Sequence, residues 1–126
     1  MQQANVYTQY KNQSLETLTK GEIIIKLFEE ASKQLTMAIF AINGEDMVKS
    51  YNSIAKVQKI ISTLRSSLDK KYPISIELDS IYLFIYEQLT EANLKKNLPL
   101  LKDLLQMIDE FKVTFRQAYR LARISE

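Results

Sequence analysis

The chain has 126 residues, of which 46% are hydrophobic and 25% charged, with a formal net charge of +2. This is the balance of one globular domain, long enough to bury a core without cross-links and not that of a disordered segment. Histidine, cysteine and tryptophan are all missing, which excludes a disulfide framework, thiolate chemistry and any imidazole base or ligand.

The near-neutral charge, with Lys and Arg alternating with Asp and Glu, does not make the concentrated basic face that nucleic acid requires, so no nucleic-acid partner is expected. No run approaches ~18 apolar residues, so no membrane insertion is expected. The polar start, Met1 to Asn5, has neither a basic region nor an apolar run and is not expected to be a signal peptide. The lack of cysteine fits a reducing cytoplasm.

Two glycines, Gly21 and Gly44, and two prolines, Pro73 and Pro99, punctuate the chain. Residues 1–16 read as a polar N-terminal arm with Val6, Tyr7, Tyr10 and Leu15 as its apolar points. The first helix is expected to start near Thr19, where Thr19-Lys20-Gly21-Glu22 makes a capping box. Its apolar arc contains Ile23, Ile24, Leu27, Phe28, Ala31, Leu35, Ala38, Ile39 and Ile42. Asn43-Gly44 then reads as a left-handed stop. A second helix spans about Glu45 to Asp69, with Met47, Tyr51, Ile54, Val57, Ile61, Leu64 and Leu68 on one face, and ends before Pro73. A third occupies about Ser75 to Lys96. The fourth follows Asn97 as N-cap and tolerates Pro99 in its first turn. Its inner face holds Leu101, Leu104, Leu105, Ile108, Phe111, Phe115, Ala118, Tyr119 and Ala122, and it ends near Arg123. Short connections force successive helices to reverse. The expected fold is therefore all-α, a single domain over residues 1–126: an antiparallel up-down-up-down four-helix bundle (17–126) preceded by the arm.

The run Ile81-Tyr82-Leu83-Phe84-Ile85-Tyr86 covers the whole circumference of a helix at about 100° per residue, so the third helix must be covered on more than one side. Leu78, Ile81, Tyr82, Ile85, Leu89 and Ala92 suit a bundle core. Ile76, Leu83 and Leu94 lie on roughly the opposite side, and Leu100, Met107 and Leu121 widen the inner face of the fourth helix. These six are expected to form a partner-binding surface, with the outer part of the first helix near Ile25 and Phe28 as the next candidate. The arm residues Val6, Tyr7, Tyr10 and Leu15 are expected to cap part of that surface when no partner is present.

Nothing in the sequence supports catalysis or a cofactor. A bundle di-iron site needs Glu-x-x-His on two helices, and a hydrolytic triad needs an imidazole. Neither a nucleophile elbow nor a Gly-rich phosphate loop is present. Glu29, Glu30, Glu87 and Glu91 read as solvated faces or helix charge pairs.

One ordered series of residues resembles a known family. Asn5-x-Tyr7-x-x-Tyr10-x-x-x-Ser14-x-x-Thr17-x-Thr19-x-Gly21-Glu22 followed by Leu27-Phe28 is similar to the start of the flagellar secretion chaperones that bind flagellin. Ala55-Lys56-x-Gln58-x-Ile60-Ile61-x-x-Leu64, the Ile81-Tyr82 pair and Leu89-x-x-Ala92-Asn93 extend the match over nearly the whole chain. The sequence departs at Lys20, where the family usually has Pro, and at Phe28 and Phe115, where it usually has Tyr and Trp. It departs again at Glu29-Glu30, where an Asp-Gly or Asn-Gly pair is usual. The resemblance implies a helical bundle in the bacterial cytoplasm that holds the disordered C-terminal segment of flagellin. Held in that way, flagellin neither polymerises early nor degrades before type III export. Other flagellar export or regulatory proteins would be further partners. The alternative is a non-catalytic helical adaptor that self-associates through its second apolar face.

Overall fold

A computed structural model describes the backbone of residues 2–124 and the side chains of residues 20–124. It contains α1 (Gln2–Asn43), α2 (Met47–Ser66), α3 (Ile74–Lys95) and α4 (Leu98–Ile124), and no strand among the described residues. Each backbone runs close to two neighbours in the ring α1-α2-α3-α4, diagonal helices meet only through core side chains such as Phe28 and Tyr82 among the described residues, and α3 and α4 approach least. Polar pairs fix the antiparallel sense. Ser32 meets Asp109, Glu29 meets Arg116 and Glu22 meets Tyr119, so numbers fall along α1 as they rise along α4. Arg65 with Asp79 and Gln58 with Thr90 do the same for α2 and α3. The expected four-helix bundle is therefore the observed fold.

The helix ends follow local chemistry, with three corrections to the boundaries. First, α1 does not start near Thr19. It is helical from Gln2 and 42 residues long, about 63 Å at 1.5 Å per residue. Lys20 retains the backbone N–H that a proline there would lack, so the helix passes through this position. Glu22, expected in a capping box, instead accepts a hydrogen bond from the Tyr119 hydroxyl at 2.7 Å. The side chains of Val6, Tyr7, Tyr10, Leu15 and Thr19 lie outside the described residues.

Second, the left-handed residue at the α1–α2 turn is Glu45 (φ 61°) and not Gly44. Gly44 N–H still bonds Phe40 O at 2.9 Å and Asp46 N–H reaches back to Ala41 O at 2.8 Å. Asp46 then caps α2 by accepting from Lys49 N–H. Third, α2 stops at Ser66, short of Asp69. The hydroxyls of Ser66 and Ser67 both bond Thr63 O, and Asp69 accepts from Lys71 N–H, so side chains satisfy the backbone outside a helix. The N-cap of α4 is as expected, with Asn97 Oδ1 accepting from Leu100 N–H at 3.1 Å.

The core is continuous along the axis: Leu35, Ile54, Ile61, Ile85, Leu89, Leu101, Leu104 and Ile108 are all fully or almost fully buried. Toward the end away from the α1–α2 turn it becomes aromatic. Phe28 lies 5.2 Å from Phe115 and 5.9 Å from Phe111, ring centre to ring centre, and 6.3 Å from Tyr82. Burial pushes the Tyr82 phenol up to about 12. On α2, Met47 and Tyr51 were expected inside but are exposed, while Ser50 and Ser53 are buried. The small residues Ala38, Ala41, Ser50 and Ser53 flank the α1–α2 turn and leave room for the two backbones to run close. Ala118 and Ala122, expected on the inner face of α4, are exposed.

Candidate functional site

The surplus apolar residues of α3 do not form one surface with those of α4. They lie on opposite edges of α3. One edge faces α2: Asp79 pairs with Arg65 at 2.8 Å, and Tyr86 O and Thr90 Oγ1 accept from Gln58. Leu83 follows Asp79 by four residues and precedes Tyr86 by three, so it sits in the same row. Leu83 is half-buried there, whereas Ile76 and Leu94 farther out are 73% and 76% exposed. The exposed Tyr51 of α2 stands at the Leu94 end, its ring 5.6 Å from the Lys96 ammonium. Lys96 also donates to Asn93 Oδ1, and partial burial lowers its pKa. The Arg65 guanidinium holds the Asp79 carboxyl below its ordinary range through their hydrogen bond.

The other edge of α3 faces α4. Ile81, Met107, Glu110, Phe111 and Thr114 line an open hollow of ≈ 350 Å³ between the two helices. Along α4, Leu100, Met107, Phe111, Thr114, Ala118 and Leu121 repeat at the spacing of one helical stripe. Leu100 and Met107 are half-buried against the core, and Leu121, beyond them, is 66% exposed. Ile74 and Phe84 of α3 are 60% and 50% exposed, and their spacing from Ile81 puts them at the rim of the same groove. The groove is open because α3 and α4 are the least tightly joined neighbours.

The six residues expected to form one partner-binding surface therefore fall on two sides of α3. Ile76, Leu83 and Leu94 lie along the α2-facing side of α3, and Leu100 and Leu121 share the α4 stripe of Met107, which lines the α3–α4 hollow. Of the two reserve candidates, Ile25 is half-buried and lines a separate hollow between α1 and α4. Phe28 is a correction. It is 0% exposed, at the centre of the aromatic cluster, and has no surface to offer. Reasoning from sequence missed Ile74 and Phe84. Phe84 could have been found, because six apolar residues in a row leave at least one facing outward. Phe40 on α1 and Val48 on α2, near the α1–α2 turn, are also largely exposed.

The fold and these two sides of α3 together define an all-helical bundle whose apolar surface exceeds what its own core uses, the form of a binding module. The chain belongs to the FliS family: the family model for flagellar protein FliS matches residues 3–122. The flagellar secretion chaperone FliS of Bacillus subtilis (strain 168) is 29% identical over 119 residues, 94% of this chain and 90% of that protein. A role as a flagellar export chaperone follows from that membership.

Proposed function

We propose that the protein binds the disordered C-terminal segment of flagellin in the bacterial cytoplasm, keeps it from polymerising and delivers it to type III flagellar export. The observation that carries this reading is the open α3–α4 groove, lined by Ile81, Met107 and Phe111 and flanked by exposed Ile74, Phe84 and Leu121. A disordered segment gains most by folding as an amphipathic helix against such a groove, its anchors spaced one turn apart. The α2-facing side of α3, with Ile76, Leu83 and Leu94, offers a second apolar track on the other side of that helix. On this reading one client segment long enough to cross α3 uses both.

Residues 1–16 cover either track only if α1 breaks, and Gly21, its single glycine, is where a break costs least. Coexpression with a C-terminal flagellin fragment, followed by size-exclusion chromatography, tests the reading. Comigration as a stable complex supports it. A homodimer that ignores flagellin would instead assign the apolar tracks to self-association.

A further inference from the structure

The hollow between α1 and the last turns of α4 has a different chemistry from the two apolar tracks. It is lined by Ile25, Arg116, Tyr119, Arg120, Arg123 and Ile124. From Lys112 to Ile124, α4 carries Lys112, Arg116, Arg120 and Arg123 and not one acid. Among the described residues, the acids that α1 brings to this contact, Glu29 and Glu22, are already engaged. Glu29 pairs with Arg116 at 2.6 Å, and Glu22 accepts from the Tyr119 hydroxyl. Lys112 lies beside Asp109. The Arg123 guanidinium sits 5.8 Å from the centre of the Tyr119 ring. Neither Arg120 nor Arg123 has a carboxylate partner among the described residues.

The helix macrodipole explains a cation in the last turn, where Arg123 stands, but acts only over that turn. It gives no reason for two guanidiniums around one hollow that have no acid partner among the described residues. Guanidinium groups held near an aromatic face match carboxylates with forked, charge-assisted hydrogen bonds. Ile25 and Ile124 add apolar walls.

We propose that this hollow is a second docking site, separate from the apolar tracks, for an acidic segment of a partner protein. Its carboxylates engage Arg120 and Arg123 while an apolar side chain between them rests on Ile25 and Ile124. The concave shape favours a peptide over a membrane surface, because a flat array of anionic headgroups does not reach the apolar walls. The proposal does not depend on which client the apolar tracks take.

The test uses the full chain and a fluorescein-labelled peptide of alternating glutamate and leucine, with its glutamine counterpart as control. Fluorescence anisotropy at about 0.15 M salt, where long-range attraction is largely screened, should give at least about tenfold tighter binding of the glutamate peptide. The double variant Arg120→Ala/Arg123→Ala should lose that preference. Lys26→Ala/Lys33→Ala, which removes the same charge elsewhere, should keep it. Circular dichroism is expected to show both variants folded, since the substituted side chains lie outside the buried core. Equal loss in both variants, or none in either, would overturn the site. So would tighter binding to phosphatidylglycerol vesicles than to the peptide through the same two arginines.

Discussion

Gly21 of α1 lies directly beneath the ring of Tyr119 of α4: a Cβ placed on Gly21 would come within 2.7 Å of Tyr119 Cδ2. The glycine is in ordinary helical conformation, since no glycine among the described residues has positive φ. What demands glycine here is the ring and not the backbone angle. Without a side chain at 21, Tyr119 lies across α1 and its hydroxyl reaches Glu22.

Opposing effects then decide what Gly21→Ala does. Alanine favours the helix by up to about 1 kcal/mol, but it displaces the ring and its hydrogen bond, worth roughly 1 kcal/mol. Gly21→Ala should therefore be neutral or mildly destabilising in the native chain. In a Tyr119→Ala background, with the ring gone, it should stabilise by about 0.5 to 1 kcal/mol. Urea unfolding of the four proteins in this cycle measures the coupling. Equal stabilisation in both backgrounds would show that the ring does not constrain residue 21.

Phe28 and Ile76 were both expected to meet a partner, yet one is in the core and the other on the surface. Phe28→Ala should cost about 3 to 5 kcal/mol of folding stability, because it opens a cavity among Tyr82, Phe111 and Phe115. Ile76→Ser should change stability by no more than about 0.5 kcal/mol. Thermal or urea denaturation separates them, and a cost below about 1 kcal/mol at Phe28 would contradict its place in the core.

Burial raises the Tyr82 phenol from 10.0 to about 12, so the folded protein keeps this proton through a range where the unfolded chain loses it. Its contribution is complete below about pH 10 and is lost as pH climbs through about 12. The shift corresponds to at most about 2.7 kcal/mol. Tyr82→Phe removes this contribution while leaving the lysines and exposed tyrosines in place. The stability difference between native chain and variant should therefore move in favour of the variant by roughly 1 to 3 kcal/mol between about pH 9 and pH 12. Parallel stability profiles would show that the phenol ionises as freely folded as unfolded.

Much of this fold was legible because its signals are local. The apolar rows of α3 and α4, the Asn97 cap and the reversals at residues 44 and 73 each depend on a few adjacent residues. What was not legible depends on contacts between distant segments. The capping box at Thr19 was a sound local reading, but Glu22 is claimed by Tyr119, 97 residues away. A helical wheel shows that Leu83 and Met107 are off their core stripes. It does not show that Leu83 turns toward α2 and Met107 toward α3, because that depends on the order of helices around the ring. Phe28 was assigned to both core and surface since its position borders both. Tyr82 from α3 and Phe111 and Phe115 from α4 enclose it, contacts between distant segments that a helical wheel does not contain.

The two sides of α3 can be told apart by charge insertion. Met107→Asp places a carboxylate in the α3–α4 groove and Leu83→Asp places one on the α2-facing side of α3. Each should weaken binding of a flagellin C-terminal fragment by about 2 kcal/mol or more, as expected when a central anchor is replaced. Circular dichroism should show both variants folded. If only Met107→Asp weakens binding, the client occupies one groove and does not cross α3.

The most direct measurement of the central claim is isothermal titration of the native chain with that flagellin fragment. Capture of a disordered client by the α3–α4 groove predicts a saturable complex with a negative heat-capacity change, the signature of apolar burial coupled to folding of the client. It also predicts that the affinity collapses in the Met107→Asp variant. Absence of measurable heat and of comigration with the fragment, from a chain that remains folded, would contradict it.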